Sequence, residues 1–90
     1  MLKLVLSNRI KKDMKALKKR GYDFSLMETV VNTLMTQKPL EEKYRDHEFS
    51  GNCAGYRECY ILPDWLLVYK VVEDELLLFL FRTGTHSDLF

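Results

Sequence analysis

Three runs decide the fold: YRECYIL at residues 56–62, WLLVYKVV at 65–72 and ELLLFLFRTG at 75–84. Each is rich in aromatic, aliphatic and β-branched side chains, which suit a pleated, half-buried surface. The breaks between them, Pro63-Asp64 and Glu73-Asp74, are short enough for hairpins, so the three runs predict an antiparallel meander. Leu76 through Phe81 is nearly all apolar and predicts a strand buried on both faces. Upstream of residue 38 the period changes. LKLVL at 2–6 predicts a short strand, after which Ser7 can cap a helix carrying Ile10, Met14 and Leu17 at i, i+4 and i+7. Gly21 ends that helix. A second helix is predicted from Ser25, with Glu28 completing a capping box, a core stripe of Met27, Val30, Val31 and Leu34, and Pro39 as its stop. Residues 38–54 are polar, carry a Gly51-Asn52 turn signal and predict a long connection with room for one short strand. The fold class that follows is α+β: a small antiparallel β-sheet with an N-terminal helical hairpin packed on one face.

At 90 residues the chain supports one domain, residues 1–90, burying only about 60–65% of its unfolded surface. A composition of 47% hydrophobic and 30% charged residues excludes a disordered chain. No run approaches the roughly 20 apolar residues of a membrane span, and the first charges follow rather than precede the short apolar start, unlike a signal peptide. A cytoplasmic protein with no membrane association is expected. Cys53 and Cys59 lack CxxC spacing and zinc-like histidine companions, so reduced thiols and no bound metal are expected.

The net charge of +1 conceals an asymmetry. Residues 1–20 hold eight basic side chains against the single acid Asp13, whereas residues 21–90 hold six basic and twelve acidic ones. Lys11, Lys12, Lys15, Lys18 and Lys19 crowd the first helix. Such a face suits phosphate backbones, or it is a solvated helix surface.

The chain has two histidines, His47 in the polar connection and His86 just past the last strand. Neither sits on an apolar face. Converging on one cleft they could serve as general base and general acid; apart, they are ordinary surface residues. Asp64 and Trp65 lie at the mouth of a hairpin, Arg82 ends the last strand and Phe90 ends the chain.

These positions carry a family resemblance. Asp46-His47, then GNCAGYRECYILPDWLLVYKV at 51–71, then FRTGTHSDLF at 81–90 resemble the signature of YafQ-type toxins of the RelE superfamily. That signature runs as a DH pair, a G-x-x-x-G-Y-R element, a P-D-W-x-L-x-Y segment and a terminal R-x-G-[ST]-H-x-x-L-F. The match extends from about Tyr44 to Phe90. The resemblance implies a RelE-like fold and the toxin of a type II toxin–antitoxin system. It further implies a metal-independent, cofactor-free endoribonuclease that cleaves mRNA in the ribosomal A site and so inhibits translation. Implied partners are the ribosome, mRNA and a cognate antitoxin, a ribbon-helix-helix DNA-binding protein, in a heterotetrameric complex. His47, Asp64 and His86 fall where the family places acid-base residues, and Trp65 and Phe90 where it has aromatic and terminal positions important for activity. One position departs: where the family pattern has a further histidine, this chain has Tyr60, which donates and stacks but, with an ordinary tyrosine pKa of about 10, is a poor base at neutral pH.

Cleavage of RNA without metal needs a base for the 2′-hydroxyl, an acid for the leaving 5′-oxygen and a cation for the crowded phosphate. His86 is expected as acid, Asp64 or His47 as base, and Arg82, with Arg57, as phosphate clamp. Trp65 and Phe90 are expected to stack on bases, with Tyr60 beside them, although Trp65 at the start of a strand fits the core equally well. The basic helix would grip ribosomal RNA or receive the antitoxin. The alternative is an inert toxin or binding module on the same scaffold: a ParE-like gyrase inhibitor, which has no chemical reason to keep His47, Asp64 and His86, or a degenerate RNA binder, with which Tyr60 is compatible.

Overall fold

A computed structural model describes residues 1–49 and 55–90. The Gly51-Asn52 turn signal and Cys53 lie outside the described residues. The elements are β1 (Lys3–Leu6), α1 (Asn8–Lys19), α2 (Phe24–Met35), β2 (His47–Glu48), β3 (Arg57–Leu62), β4 (Trp65–Val72), β5 (Leu77–Gly84) and α3 (His86–Leu89). One five-stranded sheet has the order β1-β5-β4-β3-β2. The meander of β3, β4 and β5 is antiparallel as the sequence predicts, and β2 extends it antiparallel. β1, however, pairs with β5 in parallel, Lys3 opposite Leu77 and Leu6 opposite Leu80, so the sheet is mixed. The reason is connectivity: β1 reaches its partner through two helices and the whole meander, a long crossover rather than a hairpin.

The predicted helical stripes are the core. Ile10, Leu17, Met27, Val30, Val31 and Leu34 are buried against Trp65, Leu67, Tyr69, Leu78 and Leu80 from one face of the sheet. Trp65 is wholly inaccessible, edge-on to Tyr22 and donating from Nε1 to Thr83 Oγ1 at 2.8 Å. The expectation that it stacks on RNA is corrected: a ring at 0% exposure cannot meet a ligand. Strand alternation sends Leu66 and Val68 to the opposite face, yet they too are buried. That second face carries chemistry.

Three other details differ from the sequence reading. Asp23, not Ser25, caps α2; its carboxylate accepts from both the Ser25 amide and hydroxyl, because ionised oxygen outcompetes a hydroxyl for the cap. The helix stops at Thr36, with Gln37 left-handed at φ 56°, before Pro39 can act. β5 is not buried on both faces: Leu78 and Leu80 enter the core, while Phe79 and Phe81 remain half-buried beside Tyr56 on the second face. Leu76 lies outside the strand, left-handed and exposed.

Where β1 ends, α1 takes over the free edge of β5. Ser7 caps α1 by accepting from the Ile10 amide, while its own hydroxyl donates to the Phe81 carbonyl at 2.6 Å. Further along, Asp13 accepts from Arg82 Nε at 2.8 Å, Arg82 Nη2 at 3.2 Å and the Thr83 amide at 3.2 Å. The chain then turns at Gly84 into α3, closed by a capping box between Thr85 and Asp88, with Asp88 also paired to Arg20 at 3.1 Å.

Two predictions follow from these joints. Ser7→Ala removes both a cap and a strand-edge hydrogen bond, and is expected to cost about 1–2 kcal/mol in urea denaturation. Gly84→Ala would place a Cβ 2.9 Å from Asp88 Cβ and Oδ2. The capping box must open to admit it, so amide exchange should accelerate over residues 85–90 while the strands keep their protection.

Candidate active site

The second sheet face gathers the polar residues singled out in the sequence. β3 presents Glu58 and Tyr60 there by alternation, opposite Val68 and Leu66 of β4. β2 brings His47 directly opposite Glu58. The β3–β4 turn supplies Asp64, and α3 supplies His86 and Phe90. His47, Tyr60, His86, Phe90 and Phe49 form a continuous row of rings, neighbouring centroids lying 5.7–6.1 Å apart.

His86 is held by three contacts. Its Nδ1 lies 3.1 Å from Asp64 Oδ1, its backbone N–H donates to the same oxygen at 3.3 Å, and its Nε2 is 3.2 Å from the Tyr60 hydroxyl. The side-chain hydrogen bond from His86, then the backbone one, hold the Asp64 carboxyl below the usual carboxylate range. An ionised carboxylate only accepts, so Nδ1 carries a proton and Nε2 is the atom free to gain or lose one. Asp64 is thereby spent on orienting His86, which makes it a weak candidate for base.

His47 is bound differently. Nδ1 meets the Arg45 carbonyl and Nε2 meets Glu58 Oε1 at 2.9 Å. A carbonyl only accepts, so Nδ1 is protonated, and a proton must also lie between Nε2 and Oε1. The pair is either imidazolium and carboxylate or imidazole and carboxylic acid. Glu58 is buried at 7% exposure and its Oε2 has no hydrogen-bond partner, an unsatisfied acceptor facing a histidine. Sequence reasoning did not single out Glu58; the signal was its i−2 spacing from Tyr60 on one strand face.

The two expected clamp arginines stand elsewhere. Arg82 spends its fork on Asp13 at the β5 edge, both side chains less than one-fifth exposed. Arg57 alternates with Glu58 onto the other face, where it pairs with Asp46 at 3.3 Å beside Tyr69. In this arrangement the Arg82 fork is taken up by Asp13, and Arg57 stands on the sheet face opposite the histidines. Phe90 is 70% exposed and stacks on Phe49. Lys11, Lys12, Lys15, Lys18 and Lys19 are all exposed on α1, the first four around a shallow groove with Leu6 and Met14. Burial pushes the Cys59 thiol up to about 12, so it stays protonated and inert. Among the described residues no three His, Cys, Asp or Glu side chains stand together as metal ligands.

Known proteins resemble this chain over most or all of its length. "mRNA interferase toxin YafQ" of Escherichia coli K12 is 40% identical over 85 residues, covering 93% of this chain and 90% of that protein. "Putative toxin YafQ" of Haemophilus influenzae is 36% identical, covering 82% and 76%. A metal-bound toxin from Helicobacter pylori superposes with a TM-score of 0.95 at 46% identity over the full length of both chains. The toxin in the E. coli DinJ-YafQ complex superposes at 0.91 and 34% identity, over 100% of this chain and 99% of that one. Residues 2–90 match the family of bacterial toxins of type II toxin–antitoxin systems named for YafQ, and the chain belongs to that family.

Proposed function

We propose that this protein is an mRNA interferase: a cytoplasmic, ribosome-dependent endoribonuclease that cuts mRNA in the A site by metal-independent acid-base catalysis. The observation that carries the reading is the pairing of two independently oriented histidines across one half-buried tyrosine, His86 backed by Asp64 and His47 backed by Glu58. An inert gyrase inhibitor needs no such paired proton-handling groups.

The geometry suggests the division of labour. Protonated His86 donates from Nε2 to the leaving 5′-oxygen, with the Asp64 carboxylate steadying the imidazolium on its far side. The His47–Glu58 pair takes the 2′-hydroxyl proton on Glu58 Oε1, the oxygen that faces His47, so the 2′-oxygen attacks phosphorus and leaves a 2′,3′-cyclic phosphate and a 5′-hydroxyl. In the imidazolium–carboxylate form of the pair, His47 supplies the charge expected of Arg82 or Arg57. Arg82 is a positioning residue: it fixes the end of β5 from which α3 and His86 spring. Phe90 and Phe49 offer stacking surface, worth roughly 1–3 kcal/mol per base. The lysines of α1 grip ribosomal RNA through a salt-sensitive contact. By analogy with the DinJ complex, an antitoxin, of the ribbon-helix-helix type, neutralises the toxin in a heterotetramer.

The test is toeprinting of a defined mRNA in a purified translation system. Wild type should cut in the A site, and His86→Ala should lose about 10²–10⁴-fold in rate, the usual worth of a positioned acid. Intact mRNA with both proteins would favour the inert reading instead. In the same assay Glu58→Gln, which keeps shape but cannot take a proton, should lose at least about 100-fold in kcat. Tyr60→Phe keeps the stacking ring and should lose less than about tenfold. A larger loss would make its hydroxyl a proton carrier.

On acidification the sign is set by the depressed carboxyls. Asp64 is lowered by the hydrogen bonds of His86, and Asp88 first by the Thr85 backbone amide. Their contribution is fully present above the ordinary carboxylate pKa of about 4 and is lost as pH falls through the lowered values. Order in α3, followed by the His86 ring signals in NMR, should therefore survive at pH 5 and disappear only in stronger acid.

A further inference from the structure

We propose that the groove between the N-terminal half of α2 and the outer edge of β3 is a nucleobase subsite, holding the mRNA nucleotide next to the scissile phosphate and setting codon preference. The proposal rests on the ribonuclease reading and specifies where its substrate is read. The cavity measures about 400 Å³, inside the range of roughly 300–1,000 Å³ usual for small-ligand pockets.

Its walls change character from one end to the other. Leu26, Leu62 and Pro63 make an apolar slot, and Tyr44 and Tyr60 add aromatic surface. Tyr60 belongs to both sites, lining the groove while its hydroxyl meets His86 and its ring lies beside His47. A nucleotide whose phosphate sits at the histidines therefore has the groove within reach of its own or the neighbouring base. Tyr60 is thus the wall that the cavity and the reaction centre have in common.

The charges at its mouth suit nucleic acid. Lys43 and Arg45 line the groove and no carboxylate does. The Arg45 guanidinium lies 5.9 Å from the Tyr60 ring centroid and is exposed; among the described residues it has no acidic partner, unlike Arg57 and Arg82. A planar guanidinium beside a phenol ring is a platform on which any base can stack, with a positive charge left for its phosphate.

The backbone of Arg45 strengthens the link. It adopts φ 49° and ψ 47°, the left-handed region that a residue with a Cβ seldom occupies, and there its carbonyl receives His47 Nδ1. One residue thus orients a catalytic histidine with its main chain and presents a cation to the groove with its side chain. A base drawn onto Arg45 would steady His47 at the same moment.

The experiment measures kcat/KM of A-site cleavage over a panel of defined codons for wild type, Leu26→Trp and Arg45→Gly. Leu26→Trp fills the slot from α2, remote from the proton-handling groups. Arg45→Gly deletes the cation while glycine accepts the left-handed backbone that His47 requires. Loss concentrated on the best codons, contracting the ratio of best to worst by about 10- to 100-fold in both variants, is the expected result. A proportionate loss on every codon, an unchanged profile in both variants, or a wild type that cuts all codons alike would overturn the subsite and leave the ribonuclease standing. A wild type that cuts no codon would remove both.

Discussion

The carboxylate of Asp13 is the joint on which the rest of the structure depends. It receives the Arg82 fork and the Thr83 amide at once, at the point where β1 has ended and β5 still needs a neighbour. Hydrogen bonds to a charged group contribute roughly 1.5–3 kcal/mol each when well shielded, and less where water competes. Here both side chains are mostly covered. A single acid in an otherwise basic helix segment therefore does what no sequence-local feature could, tying α1 to the last strand 69 residues away. The same strand carries Thr83, whose hydroxyl accepts from Trp65 and donates to the Leu66 carbonyl, so the edge, the core tryptophan and the β4 backbone are locked together.

That joint matters because α3 is only four residues long. A helix of that length has no stability of its own and exists through its anchors. It has several: the Thr85–Asp88 box, the Arg20–Asp88 pair and the Asp64 contact to the His86 amide and ring. His86 is thus placed by contacts from the end of α1, the β3–β4 turn and β5, not by its local sequence. It stands at the end of a rigid sheet with its Nε2 directed at the hydroxyl of the half-buried Tyr60, the arrangement a proton-transfer group requires.

Much of this was legible in the chain. Helical stripes such as Met27, Val30, Val31 and Leu34 were readable because amphipathic periodicity is local, and every one of them is buried. The meander was readable because short turns force neighbours to pair. The parallel docking of β1 was not, since a partner more than 70 residues away leaves no local trace. Nor were the fates of the arginines. Arg82 and Arg57 looked available because their acids, Asp13 and Asp46, lie far off in sequence or across a strand, and charge pairing is settled by three-dimensional proximity. The family resemblance located His47, Asp64 and His86 in one cluster. It could not reveal that Asp64 serves His86 or that Glu58 stands behind His47.

The exchange of the family histidine for Tyr60 becomes intelligible from those two pairs. Each histidine already has a carboxylate, and in the proposed mechanism the pairs hold the protons that cleavage must move. A third imidazole between them would add a titrating group close to two others, and neighbouring cations oppose one another's protonation. A tyrosine in that place keeps a ring for stacking and a hydroxyl for His86 Nε2 without adding charge at neutral pH. The site can therefore dispense with the histidine if the proton-handling roles belong to the carboxylate-backed pairs and the central ring serves to separate and align them. On that view the residue at position 60 tunes the two histidines, and the proton transfers belong to His86 and to the His47–Glu58 pair.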